Sequence, residues 1–139
     1  MKSKVFISHS YNDRSLVERL IYSLIKRGVN IITDPFTEHH SDEDVEEKFR
    51  EALSESKYVL SILTPESLRS PWVNFELGAA LFMNKDLIPV ISKEVPISDI
   101  PSPLRRYKQL KIEDDVEETA RKIVAELDLR ENERSQDMS

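Results

Sequence analysis

Short apolar runs alternate along this chain with stretches whose apolar residues recur at helical spacing, and the alternation repeats five times. Lys4-Val5-Phe6-Ile7-Ser8 predicts a buried strand. From about Asp13 to Arg27, the residues Leu16, Val17, Leu20, Ile21, Leu24 and Ile25 return to one face of a helix. Lys26 and Arg27 followed by Gly28 end it, with cations against the helix dipole and then a residue suited to the left-handed region. Val29 to Thr33 predicts a second strand, broken at Asp34-Pro35. A polar loop runs through His40. Ser41 then reads as an N-cap, with acidic residues in the turn behind it and a buried stripe of Val45, Phe49, Ala52 and Leu53.

Tyr58-Val59-Leu60-Ser61-Ile62-Leu63 is apolar along most of its length, as a central strand covered on both faces should be. Thr64-Pro65 ends it, and a loop to Arg69 leads to Ser70 as N-cap and Pro71 at the first helical position. That helix runs to about Met83. Leu87 to Ile91 predicts a fourth strand, in which Pro89 signals an edge or a bulge. After a loop carrying Pro96, Pro101 and Pro103, Tyr107 to Ile112 predicts a fifth strand. Val116, Ala120, Ile123, Val124 and Leu127 mark the last helix. Residues 1–129 thus read as one domain and 130–139 as a polar, frayed tail.

Alternation of this kind predicts an α/β fold, a flavodoxin-like five-stranded parallel sheet of order 2-1-3-4-5 with helices on both faces. Ligands of such sheets bind at the carboxyl ends of the strands, where the order switches between strands one and three. That rule points to Ser8, His9 and Ser10, to the stretch from Asp34 to His40, and to the segment from Thr64 into the Trp72–Glu76 helix.

Composition narrows the chemistry. At 139 residues the chain is the size of one domain, with 39% hydrophobic and 33% charged residues. No apolar run approaches the ~20 residues that span a bilayer, and no secretory leader pattern opens the chain. It holds no cysteine, which excludes thiol chemistry and thiolate metal sites and suits the cytoplasm. A formal charge of −6 makes it a poor binder of nucleic acid, and Arg105-Arg106-Tyr107-Lys108 reads as solvated surface. The only glycines are Gly28 and Gly78, so neither a dinucleotide-binding G-x-G-x-x-G nor a P-loop is present. His9, His39 and His40 have none of the spacings of a metal site, and none is expected. Ser8-His9-Ser10 lacks the glycine-flanked elbow of a serine hydrolase and reads more simply as a polar strand end.

Trp72 and Glu76 stand four residues apart and share a helix face. Alone, the pair reads as packing. At the edge of the expected crevice, a glutamate beside an aromatic ring can accept hydrogen bonds from ribose hydroxyls and stabilise an oxocarbenium-like centre.

Four segments resemble one family. Val5 to Asp13 resembles the first sequence box of TIR (Toll/interleukin-1 receptor) domains, most of all the prokaryotic branch, and Ile31 to Asp34 resembles the strand entering the BB loop. Ser56 to Pro65 resembles the third strand, and Ser67 to Leu77 the helix start bearing W-x-x-x-E. The resemblance covers about residues 3–128, in the right order.

It implies cleavage of NAD+ at the nicotinamide–ribose bond, giving nicotinamide and ADP-ribose or a cyclic ADP-ribose signal. NAD+ is then substrate, and no cofactor is needed. The family's essential glutamate falls on Glu76, with Ser8, His9, Asp34, Phe36 and Trp72 as substrate-binding positions. The resemblance further implies TIR–TIR self-association in the active state. It also implies a bacterial antiphage role in which a nucleotide messenger acts on an effector protein. The stretch Asp34 to His40 departs from the family in lacking the glycine of the usual BB-loop turn. Two alternatives share the layout: a non-catalytic TIR scaffold, and an enzyme resembling the nucleoside deoxyribosyltransferases. A receiver domain fits poorly, because the first strand ends in Ser8 and His9 where an acidic pair would stand.

Overall fold

Along each inner strand, successive side chains enter two different helical layers, and this alternation organises the molecule. The structure is a computed structural model that describes residues 3–32 and 42–137. The strands are β1 (Lys4–Ser8), β2 (Asn30–Ile32), β3 (Tyr58–Leu63), β4 (Asp86–Ile91) and β5 (Leu110–Lys111). The helices are α1 (Arg14–Lys26), α2 (Asp42–Glu55), α3 (Pro65–Leu68), α4 (Pro71–Phe82) and α5 (Val116–Asp137). All strand pairs are parallel, in the order β2-β1-β3-β4-β5. The flavodoxin-like expectation holds.

Val5 and Ile7 of β1, with Tyr58, Leu60 and Ile62 of β3, pack beneath α1 and α5 against Val17, Leu20, Leu24, Ala120, Ile123 and Leu127. Phe6, Val59 and Leu63 face the other way, onto Phe49 and Leu53 of α2 and Val73, Leu77 and Ala80 of α4. Every one of these residues is buried. Gly28 ends α1 with φ +87, as its place after two cations predicts.

Four expectations are corrected. Ile25 is 57% exposed, because the buried stripe of α1 closes at Leu24. The segment after β3 is not a loop: Thr64 and Ser67 form a reciprocal capping box around the short helix α3. The fifth strand holds only Leu110 and Lys111, and Tyr107 packs on the α2/α4 core instead. Finally, residues 130–137 continue α5 where a frayed tail is expected.

That last segment is tied down by charge. Arg130 pairs with Asp86 and Glu126 and donates to the Leu87 carbonyl at 2.9 Å. Arg134 reaches Asp86 at 3.2 Å. Glu131 accepts from Lys57 at 2.8 Å, Ser3 at 2.6 Å and the Tyr58 hydroxyl at 2.8 Å. In the sequence these are long polar side chains with no apolar stripe. In the fold they satisfy the amino-terminal ends of β3 and β4.

The hydrogen bonds from Lys57 and Ser3 hold the Glu131 carboxyl well below its ordinary range, at about 2. Burial, then the bond to Glu131, raises the Tyr58 hydroxyl above its own. A carboxyl depressed on folding stabilises the fold above its ordinary pKa near 4.5, and that stability is lost as pH falls from there toward 2. Glu131→Gln is expected to lower stability at pH 7 by about 1 kcal/mol and to flatten the loss between pH 4.5 and 2, as thermal melts at stepped pH would show.

Candidate functional site at the carboxyl edge of the sheet

Ser8 is the last residue of β1 and, by alternation from Phe6, faces the α2/α4 layer. The helix opposite is α4. Ser70 caps it, its hydroxyl accepting from the Val73 amide at 3.3 Å, and Pro71 opens it, as the sequence predicts. The buried stripe of α4 is Val73, Glu76, Leu77 and Ala80, one carboxylate among apolar side chains.

Glu76 is 1% exposed, and Ser8 Oγ donates to its Oε1 at 2.9 Å. Of the 26 acidic residues in the chain, only Glu76 and Glu126 are buried among the described residues. Glu126 is held by two cations, Lys108 at 2.9 Å and Arg130 at 2.9 Å. Its role is structural. Glu76 accepts from the Ser8 hydroxyl. A leucine would fill the same place on the stripe without desolvating a charge, which makes Glu76 the candidate functional residue of this face.

Beside Ser8 in the sheet lies Ser61 of β3, paired with it in register. Ser61 is fully buried on the same face as Val59 and Leu63, and its hydroxyl has no hydrogen-bond partner among the described residues. Few buried hydroxyls are left this way in folded proteins. Ser8, Ser61 and Glu76 therefore form a small polar island between the sheet and α4. Ser61 escapes a reading by periodicity, although one serine in an otherwise apolar strand is its visible trace.

A second cluster closes the switch point itself. Asp13 accepts from Ser10 at 2.7 Å and from Thr64 at 2.5 Å, joining the ends of β1 and β3. Thr64 also accepts from the Ser67 amide at 3.1 Å, which fixes the start of α3. A cleft of about 420 Å³ opens beside this cluster, lined by residues that include Asp13, Thr64, Ser92, Lys93, Glu94 and Glu113. Neither Ser8 nor Glu76 lines it. Hydrogen bonding from Ser92 lowers the pKa of Glu94, keeping that wall of the cleft anionic. Among the described residues no three His, Asp or Glu side chains could hold a metal ion.

The structure therefore brings Ser8 to Glu76, with His9 and Ser10 buried directly after Ser8. Trp72, also expected as a substrate-binding position, is half-buried. The indole stacks on Phe75 at 5.2 Å between centroids and meets Phe49 edge-on at 5.4 Å, and Phe49 in turn contacts Phe6. Trp72 thus joins α4 to α2 through Phe49. Asp34, Phe36 and the Ser41 cap lie outside the described residues.

A family profile described as "TIR domain" matches residues 5–126. A candidate cyclic ADP-D-ribose synthase of Cytobacillus dafuensis is 31% identical over 93 residues, covering 60% of this chain and 24% of that protein. Among solved structures, the metazoan TIR-STING receptor of C. gigas in complex with 2',3'-cGAMP superposes with a TM-score of 0.65 at 26% identity. That match covers 84% of this chain and 38% of the receptor. A CMP N-glycosidase of Clostridium botulinum superposes with a TM-score of 0.62 at 18% identity, over 88% of this chain and 99% of that one, a likeness of fold. The chain spans less than a quarter of the length of the curated relatives it matches.

Asp13 is the shared acceptor of two hydroxyls, so its removal takes the acceptor from both the Ser10 and the Thr64 donor. Asp13→Ala is expected to cost ~1–3 kcal/mol in urea unfolding, more than Asp13→Asn, which keeps one acceptor oxygen.

Proposed function

The chain belongs to the TIR-domain family, and from that premise we propose that it cleaves NAD+ at the nicotinamide–ribose bond, with Glu76 as the catalytic residue. The observation that supports this most is the carboxylate itself. It is buried in the apolar stripe of α4, hydrogen-bonded by Ser8, at the carboxyl edge where this topology takes ligands. The named activity of the Cytobacillus dafuensis relative, cyclic ADP-D-ribose synthesis, supports the same substrate.

The chemistry follows from the bond. In NAD+ the nicotinamide ring carries a positive charge, and as the glycosidic C–N bond breaks its electron pair neutralises the ring. Positive charge then develops at the anomeric carbon. A carboxylate held close to that carbon stabilises the charge, and its oxygens accept hydrogen bonds from the ribose hydroxyls. Ser8 positions the carboxylate. Water attacking the anomeric carbon and releasing a proton gives ADP-ribose, whereas attack by the adenine gives a cyclic product. Because Glu76 is 1% exposed, the substrate reaches it only when the site opens. His9, Asp34 and Phe36 are proposed to hold the substrate, and no metal or further cofactor takes part. The wider proposal is a bacterial antiphage pathway in the cytoplasm, in which the product acts on an effector protein. No helix among the described residues is long and apolar enough to cross a membrane.

A purely structural role for Glu76, in a TIR scaffold that binds other TIR domains, draws on the same hydrogen bond, since it ties β1 to α4. Glu76→Gln separates the two readings, because the amide keeps the size and the acceptor oxygen but loses the charge. The variant is expected to fold with an unchanged far-UV spectrum and to release nicotinamide from NAD+ ~10²–10³ times more slowly than the wild type. Chromatography with mass spectrometry reads both rate and product. Equal turnover by the two proteins would end the catalytic assignment. Transfer of a sugar between bases, with NAD+ left intact, would favour the deoxyribosyltransferase reading.

A further inference from the structure

Among the described residues, every buried serine has a partner for its hydroxyl except one. Ser8, Ser10 and Ser23 donate to carboxylates, Ser56 and Ser67 to backbone carbonyls, and Ser92 to Glu94. Ser61 is fully buried, and its hydroxyl meets no acceptor. It stands in the middle strand of the sheet, among Val59, Leu60, Ile62 and Leu63. Alanine or valine would pack there without a hydroxyl to desolvate. A hydroxyl that costs stability and makes no bond calls for a reason outside the resting fold.

The register supplies one. On this face of the sheet Ser61 has Val59 and Leu63 along its own strand, Pro89 beside it on β4 and Ser8 beside it on β1. Of these four side chains only that of Ser8 carries an oxygen. Paired positions on neighbouring strands lie about 4.8 Å apart, a gap that two serine hydroxyls turned toward each other close to hydrogen-bond distance. The turn is a step between staggered rotamers of one small side chain. Ser8 can accept there while its own proton stays on Glu76, because a hydroxyl oxygen has two lone pairs besides its one donor.

We propose that Ser61 is a positioning residue of the Glu76 site and acts through Ser8. When substrate binds, the Ser61 hydroxyl donates to Ser8 Oγ and Ser8 donates to Glu76 Oε1, a chain of two hydrogen bonds from β3 to α4. The second bond is present in the resting protein, at 2.9 Å, and the first forms with the substrate. A hydroxyl that accepts a hydrogen bond donates more strongly. The carboxylate is then held more tightly in one orientation while charge develops at the anomeric carbon. Ser61 acts one step back from the reacting atoms, so its loss costs rate rather than affinity. The proposal rests on the NAD+ reading and adds a residue to it.

Steady-state release of nicotinamide from NAD+, with a thermal melt of each variant, is the test. Ser61→Ala is expected to melt no lower than the wild type, because it removes a hydroxyl that has no partner. Its kcat is expected to fall about tenfold with KM unchanged, less than the ~10²–10³ of a group on the reacting centre. Ser61→Thr and Ser61→Val crowd the strand alike and differ in the hydroxyl, so the threonine variant is expected to turn over about tenfold faster than the valine variant. In a Ser8→Ala background, Ser61→Ala is expected to cost nothing further, since the chain is already cut. A wild type that cleaves NAD+ beside a Ser61→Ala variant of equal kcat would overturn the inference and leave the NAD+ reading standing. So would a Ser61→Ala variant that melts lower, equal rates for the threonine and valine variants, or losses at Ser8 and Ser61 that add. A wild type that releases no nicotinamide removes the NAD+ reading and this inference together.

Discussion

A carboxylate removed from water loses several kcal/mol of hydration unless other groups replace the solvent. Glu76 is such a carboxylate, and the carboxyl edge of the sheet is arranged around it. Ser8 supplies a hydroxyl from β1, the register of β1 on β3 sets Ser61 beside Ser8, and the Ser70–Pro71 cap fixes where α4 starts and so which turn presents Glu76. Shifting α4 by one residue would exchange the carboxylate for Phe75 or Leu77. The contacts of Phe49 with Trp72 and Phe75 resist that shift, because they lock α4 onto α2.

The two buried glutamates show how surroundings set the role of one side chain. Glu126 sits between Lys108 and Arg130, and these hydrogen bonds lower its pKa although burial acts to raise it. It stays charged and holds α5. Glu76 lies among Val73, Leu77 and Ala80 and accepts from Ser8, on the helix face turned to the sheet.

The helices that bury a clear stripe were legible in the sequence. Val17, Leu20 and Leu24, or Phe49 and Leu53, recur at a spacing that only a helix uses, and the continuous apolar run of β3 marks the sheet centre. Gly28, Ser70 and Pro71 were legible because each has one local reason to stand where it does. Long-range polar chemistry was not legible. Ser8 and Glu76 are 68 residues apart, and Asp13 and Thr64 are 51 apart, so no local pattern announces either bond. The last turns of α5 were missed for the same reason, since Arg130 and Glu131 look solvated until Asp86, Lys57 and Tyr58 are placed beside them. Trp72, expected as a substrate-binding position, has its ring in contact with Phe49 and Phe75.

The shortness of β5 has a consequence of its own. It pairs with β4 only at Val90 and Ile91, so the first half of β4, from Asp86 to Pro89, has no outer neighbour among the described strands. An open strand edge invites a strand from another molecule and, with it, aggregation. Pro89 removes one donor from that edge, and Arg130 takes up the nearby carbonyl of Leu87. A ring and a guanidinium thus act as gatekeepers along the open half of β4, where no described strand covers it.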